Sequence, residues 1–108
     1  MPGLVTRVLT GLDGERMMMV LNYTLPGHTV PIHRHHNEQI GIVHSGQGRL
    51  RIGEEERLVG KGDFYCIPAN MPHGDTCVGS EPFVMLDVFY PVRPDFLNHV
   101  RLKRKGGG

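Results

Sequence analysis

His33-Arg34-His35-His36-Asn37-Glu38-Gln39, joined far downstream by Pro72-His73, decides how this chain of 108 residues is read. In an extended strand residues i and i+2 point to one face, so His33 and His35 can share one ion. Gln39 lies four beyond His35 and keeps that parity if the chain stays extended. Glu38 is the residue type expected on a divalent ion, yet its parity, like that of His36, turns it to the opposite face. Gln39 is therefore the preferred ligand and Glu38 the alternative. Imidazole suits nickel, iron, zinc and copper, with manganese also possible, so the residues point to one divalent transition metal per chain without choosing among these. The competing explanation is a set of surface histidines, and His28, His44 and His99 fit it. Four histidines crowded between His33 and His44, with His73 placed after a Pro-rich turn, do not.

Working outward, fifteen glycines and eight prolines punctuate the chain at about eight- to twelve-residue intervals, the spacing of short strands joined by turns. Strands are expected over Met17–Leu25, Gln39–Ser45, Arg49–Ile52, Glu56–Val59, Asp63–Ile67, His73–Val78 and Phe83–Tyr90. Gly53-Glu54 reads as a tight hairpin turn. Met17-Met18-Met19 reads as core filling on a strand. Helical periodicity is weak, with one short turn expected over Pro94–Val100. Many short strands in one small domain imply an all-β sandwich or barrel.

Composition narrows the function classes. The net charge of +1 gives no reason to expect nucleic acid or an anionic membrane as partner, and the basic run Arg101–Lys105 reads as a solvated, frayed end. No apolar run approaches the ~20 residues that span a bilayer. The N-terminus lacks a basic segment followed by an apolar signal core, so the expected location is the cytoplasm. Two cysteines make no disulfide framework. Cys66 and Cys77 are expected to be small buried hydrophobes, with Cys66 a poor candidate nucleophile.

Parity supplies a second functional clue. In Phe83-Val84-Met85-Leu86-Asp87-Val88-Phe89-Tyr90, Asp87 shares a face with Met85 and Phe89. A carboxylate on an apolar strand face is costly to bury unless paired or used. Either the strand is an edge whose Asp87 side faces water, or Asp87 points into a pocket beside Phe89, ready to exchange protons.

These residues resemble the cupins. The first cupin motif runs glycine, five residues, H-x-H, three or four residues, an acidic ligand, six residues, glycine. Gly27, His33, His35, Gln39 and Gly46 fit it with glutamine in place of the acid. The second runs glycine, five residues, P-x-G, two residues, histidine. Gly62, Pro68 and His73 fit it with Asn70 in place of the glycine, and asparagine tolerates the same left-handed backbone. Gln47 to Lys61 separates the motifs, near the short end of the family's range. The resemblance covers Arg16 to Phe96 and implies a cupin jelly-roll β-barrel (a double-stranded β-helix) over residues 16–97. An N-terminal arm or strand (1–15) would precede it and a basic, Gly-rich flexible tail (98–108) would follow.

A finer likeness lies in Leu86-Asp87-Val88-Phe89-Tyr90-Pro91-Val92-Arg93-Pro94-Asp95-Phe96. It is similar to the tail of cupins from pectin and alginate breakdown that act on 4,5-unsaturated uronates. The resemblance implies His33, His35, Gln39 and His73 as metal ligands and Asp87, Phe89 and Arg93 as pocket residues. Four neutral ligands leave the ion's charge uncompensated and suit an anion, and on a six-coordinate ion they leave two positions for substrate or water. Arg93 would grip a carboxylate by a two-point hydrogen bond, Phe89 would dry the pocket and Asp87 would move a proton. The implied activity is ring opening of an unsaturated uronate to a linear keto sugar acid. A metal-dependent dioxygenase and a non-catalytic binder of a small acid or sugar are the alternatives. A homodimer is also implied, with the apolar stripe of Leu4–Leu12 suited either to a partner or to its own barrel.

Overall fold

The computed structural model describes residues 3–10 and 16–93. Nine strands run in chain order through these residues: β1 Leu4–Thr10, β2 Met18–Thr24, β3 Thr29–His33, β4 Glu38–Ser45, β5 Gln47–Ile52, β6 Glu55–Gly60, β7 Phe64–Ile67, β8 His73–Val78 and β9 Phe83–Tyr90. They form two antiparallel sheets, ordered β1-β2-β9-β4-β7 and β3-β8-β5-β6. The architecture is all-β, as the strand spacing implies, and its two sheets are those of the jelly roll that the family resemblance implies. No helix among the described residues is long and apolar enough to cross a membrane.

β8 and β9 coincide with their expected spans, and the other expected strands begin or end within two residues of them. Gly53, at φ 62°, makes the β5–β6 turn, and Asn70 takes a φ of 65°, the left-handed backbone expected of the residue standing for the motif glycine. The strand β3 has no counterpart in the sequence reading. Pro31 interrupts it, as proline disrupts a ladder, but β3 is an edge strand and the register simply breaks between Val30 and His33.

Three expectations need correction or limitation. Of the methionine triplet only Met18 enters the core, because alternation leaves Met17 exposed and Met19 half-buried. Cys66 is exposed rather than buried, since Tyr65 and Ile67 take the inward positions of β7; Cys77 is buried as expected. The turn over 94–100 and the tail 98–108 lie outside the described residues, as do residues 11 and 12 of the Leu4–Leu12 stripe. Its remainder, β1, pairs with β2 of the same chain and buries Thr6 and Val8.

The core lies between the sheets. Val43, Leu50, Tyr65, Ile67, Cys77, Phe83 and Met85 form one cluster, and Val8, Met18, Val20 and Phe89 form a second at the β1–β2–β9 side. Fully burying one such large side chain is worth about 1.5–3 kcal/mol. β9 contributes to both clusters and is the central strand of its sheet, so Asp87 is nowhere near an edge.

Candidate metal centre

Cross-strand pairing and one short link bring three imidazoles together. His33 closes β3 and lies opposite His73, the first residue of β8. His35 follows in the link to β4. Ring centroids are 4.4 Å apart for His33 and His73, 4.8 Å for His35 and His73, and 5.9 Å for His33 and His35. One ring nitrogen from each can be chosen so that all three lie within 4.8 Å of one another.

The backbone sets which nitrogen faces the centre. His33 Nδ1 donates to the Pro31 carbonyl (2.8 Å), His35 Nδ1 to the Asn37 carbonyl (3.0 Å) and His73 Nδ1 to the Met71 carbonyl (2.8 Å). A carbonyl only accepts, so Nδ1 carries the hydrogen in every case and each Nε2 presents a lone pair. Nε2 of His35 is buried and has no hydrogen-bond partner. An orphaned buried acceptor is costly, and a cation in the space bounded by the three rings would satisfy it. The residues therefore fit a metal, with the tethered ring orientation typical of histidine ligands.

Electrostatics favour the neutral, ligating form of His35 and His73. Burial pushes His73 down to about 4; the Met71 hydrogen bond opposes this, while His33, His35 and Arg93 reinforce it. Burial also lowers His35, followed by the charge of Arg93. Gln39, on β4, is buried and opens into the same cavity as His33 and His73, whereas Glu38 and His36 are exposed. The chain bends at His36-Asn37 rather than staying extended, yet Gln39 still points inward because β4 pairs it with Phe89 and Ile67.

Asp87 sits deeper and is 1% exposed, so what satisfies it decides its chemistry. Tyr65 donates to Oδ1 (2.6 Å) and Asn22 Nδ2 donates to Oδ2 (2.8 Å), while Thr6 Oγ1 donates to Oδ1 of Asn22 (2.6 Å). The row crosses the whole sheet, and Gly41 makes room for it: a Cβ there would fall 2.3 Å from Asp87 Oδ1 and 2.4 Å from the Tyr65 hydroxyl. Burial pushes Asp87 above the ordinary carboxyl range, against the hydrogen bonds of Tyr65, Asn22 and Gln39 and the charge of Arg93. Burial, then the Asp87 charge, raises Tyr65 well above the usual phenol range. A second carboxylate, Asp75, accepts from Thr24 Oγ1 at 2.7 Å and is pushed up to about 6 by burial.

Phe89 meets His35 edge-on with centroids 5.6 Å apart, and the Arg93 guanidinium lies 5.2 Å from the Phe89 ring centroid. The cavity shared by His33, Gln39, His73, Asp75, Asp87 and Arg93 has a volume of about 50 Å³ and opens to solvent. Thus all seven residues singled out in the sequence converge on one region. Asn22, Tyr65 and Asp75 were not singled out: parity puts Asp75 on the face of His73 and Cys77, but β2 and β7 carry apolar residues in both phases, so alternation alone does not place Asn22 or Tyr65.

The cupin domain family matches residues 23–89. The chain is 32% identical over 96 residues to the pectin degradation protein KdgF of Dickeya dadantii (strain 3937), covering 88% of this chain and 84% of that protein. It is 30% identical over 71 residues to the H2HPP isomerase of Bacillus subtilis, covering 65% of this chain but 30% of the relative. The solved structure of KdgF from Halomonas sp. superposes with a TM-score of 0.78 at 26% identity, covering 90% of this chain and 86% of that one.

Proposed function

The chain belongs to the cupin family, and on that footing we propose that it is a metal-dependent isomerase of pectin breakdown, opening a 4,5-unsaturated uronate to a linear keto sugar acid. The observation that carries this reading is the placement of a buried, doubly hydrogen-bonded carboxylate, Asp87, beside a cluster of three imidazoles and an arginine. The likeness to proteins named for pectin degradation and for isomerisation supports it.

His33, His35 and His73, with Gln39, would hold one divalent ion, which when bound supplies Lewis-acid polarisation of a substrate oxygen and positive charge for a developing anion. Arg93 binds the uronate carboxylate by a charge-assisted, two-point hydrogen bond. Phe89 packs beneath Arg93 and against His35, so it excludes water from the reacting edge. The open-mouthed cavity of about 50 Å³ accepts that edge rather than the whole sugar, whose remainder would face the opening.

Asp87 then moves the proton. It takes the hydrogen of the anomeric hydroxyl as the bond between C1 and the ring oxygen breaks, giving an aldehyde at C1 and an enolate at C5. It returns that proton to C4, and the enolate becomes a ketone. Nothing is oxidised or reduced and no co-reactant is needed, which separates this reading from oxygenation. Burial brings Asp87 nearer to neutral working pH, where a proton shuttle is most effective.

The test is incubation of the metal-loaded protein with 4,5-unsaturated galacturonate. Loss of the conjugated double-bond absorbance faster than in the protein-free control, without oxygen uptake, is the expected result. A rate equal to the control overturns the proposal; oxygen consumption would identify a dioxygenase, and tight binding without product a sensor.

A further inference from the structure

Asn37 is hydrogen-bonded both to His35 of the metal centre and to the two residues that precede Arg93. Its side chain is 2% exposed, in a link whose neighbours His36 and Glu38 face solvent. Through its main-chain carbonyl it accepts the Nδ1 hydrogen of His35 at 3.0 Å. Through its side-chain amide it donates to the carbonyls of Pro91 (2.7 Å) and Val92 (3.4 Å). Pro91 has no N–H with which to continue the β9 ladder, so the chain leaves the sheet there. The amide of Asn37 meets it at that departure point, while Val92 packs on the Val8–Met18–Val20–Phe89 cluster. The next residue is Arg93, whose guanidinium returns over Phe89.

We infer that Asn37 is a positioning residue that fixes the Arg93 guanidinium relative to the ring of His35, and thereby sets the distance between anion grip and metal centre. The assignment rests on the reading of Arg93 as the carboxylate grip. No other type of side chain of this size supplies two amide hydrogens: aspartate offers only acceptors at neutral pH, and would face two carbonyl oxygens. The two jobs are separable, because the His35 tether is backbone and the Arg93 tether is side chain. A substitution at Asn37 therefore loosens anion binding while leaving the imidazole cluster able to take its ion.

The experiment uses the full chain loaded with nickel, with Asn37→Asp, Asn37→Ala, Arg93→Ala and the Asn37→Ala/Arg93→Ala double variant. Calorimetry measures nickel stoichiometry and the Kd for D-galacturonate, and amide hydrogen exchange is followed at Val92 and Arg93. Each Asn37 variant should bind one nickel per chain, bind D-galacturonate about tenfold more weakly, and exchange faster at Val92 and Arg93. The double variant should bind no more weakly than Arg93→Ala alone, since a residue acting through Arg93 has nothing left to position. Losses that multiply, a lost nickel site, or wild-type affinity in both Asn37 variants would overturn the inference. Should wild-type protein not bind D-galacturonate, the uronate reading fails by itself. Exchange then decides the positioning role: faster exchange with nickel retained upholds it, and unchanged exchange refutes it.

Discussion

Tyr65 donates its phenolic hydrogen to Oδ1 of Asp87 at 2.6 Å, reaching from the edge strand β7 across the backbone of Gly41 on β4 to the central strand β9. The contact exists because one residue in the intervening strand has no side chain; the phenol is protonated at neutral pH in any case, and burial and the adjacent carboxylate raise it further. Asp87 is thereby oriented from both sides of its strand, by Tyr65 and by Asn22.

Tyr65→Phe should lower turnover of the unsaturated uronate about 10- to 100-fold, the range for one hydrogen bond to a charged group, with nickel content unchanged. Gly41→Ala should do the same and lower thermal stability as well, because its methyl would overlap both partners. Steady-state rates, melting temperatures and metal analysis on the two variants decide this. Undiminished turnover in Tyr65→Phe would show that the phenol is only filling space.

Asp87→Asn preserves shape and removes the shuttle. Turnover should fall by at least about 10²-fold while the metal content stays near wild type. Full activity in this variant would remove Asp87 from the mechanism.

Acid and metal removal act on the same histidines. In metal-free protein the His73 ring stays neutral down to about 4, against 6.5 for an unperturbed histidine, so between these values the unfolded chain binds more protons than the folded one. Stability of the apoprotein should consequently fall as pH drops from 6.5 towards 4 and be insensitive to His73 above that window. Urea midpoints of chelator-treated protein at several pH values test the sign, and His73→Asn should flatten the slope. Adding metal at a free concentration 100 times its Kd should add about 2.7 kcal/mol at neutral pH; a metal that leaves the midpoint unmoved does not bind the folded state.

The two outer faces of the molecule differ. On the four-stranded sheet Arg49 pairs with Glu56 at 3.3 Å, whereas the five-stranded sheet turns Ile40, Ile42 and Phe64 outward, Phe64 being 81% exposed, around a shallow apolar hollow with Leu86 and Val88. A solvated sheet face is normally polar. Strands of four to eight residues about 4.8 Å apart give this sheet a footprint of about 540 Å², below the roughly 800 Å² per partner of a standard interface. The homodimer expected from the family resemblance would pair through this face. Light scattering should find a dimer, and Phe64→Glu with Ile42→Asp should yield a metal-competent monomer; a wild-type monomer at micromolar concentration rules the dimer out.

Much of this was legible in one dimension. Alternation along Phe83–Tyr90 places Asp87 and Phe89 on one face, and a strict spacing of histidines around turn residues marks the candidate ligands. Alternation is silent where every position is apolar. Phe64-Tyr65-Cys66-Ile67 and Met17-Met18-Met19 read equally well in either phase, and only the neighbouring strands choose Tyr65, Ile67 and Met18 for the interior. Pro31 likewise hid β3, whose edge position is a property of the sheet rather than of the segment.

Residue type, parity and spacing within single segments were enough for most of the strands, the β5–β6 turn and the identity of the groups that could meet a cation. The tertiary structure alone decided who stands beside Asp87 and Arg93. Asn22 and Asp87 are 65 residues apart and Asn37 and Pro91 are 54 apart, and each meeting depends on strand order and register, which are set by hydrogen bonds and packing between segments that carry no local record of one another.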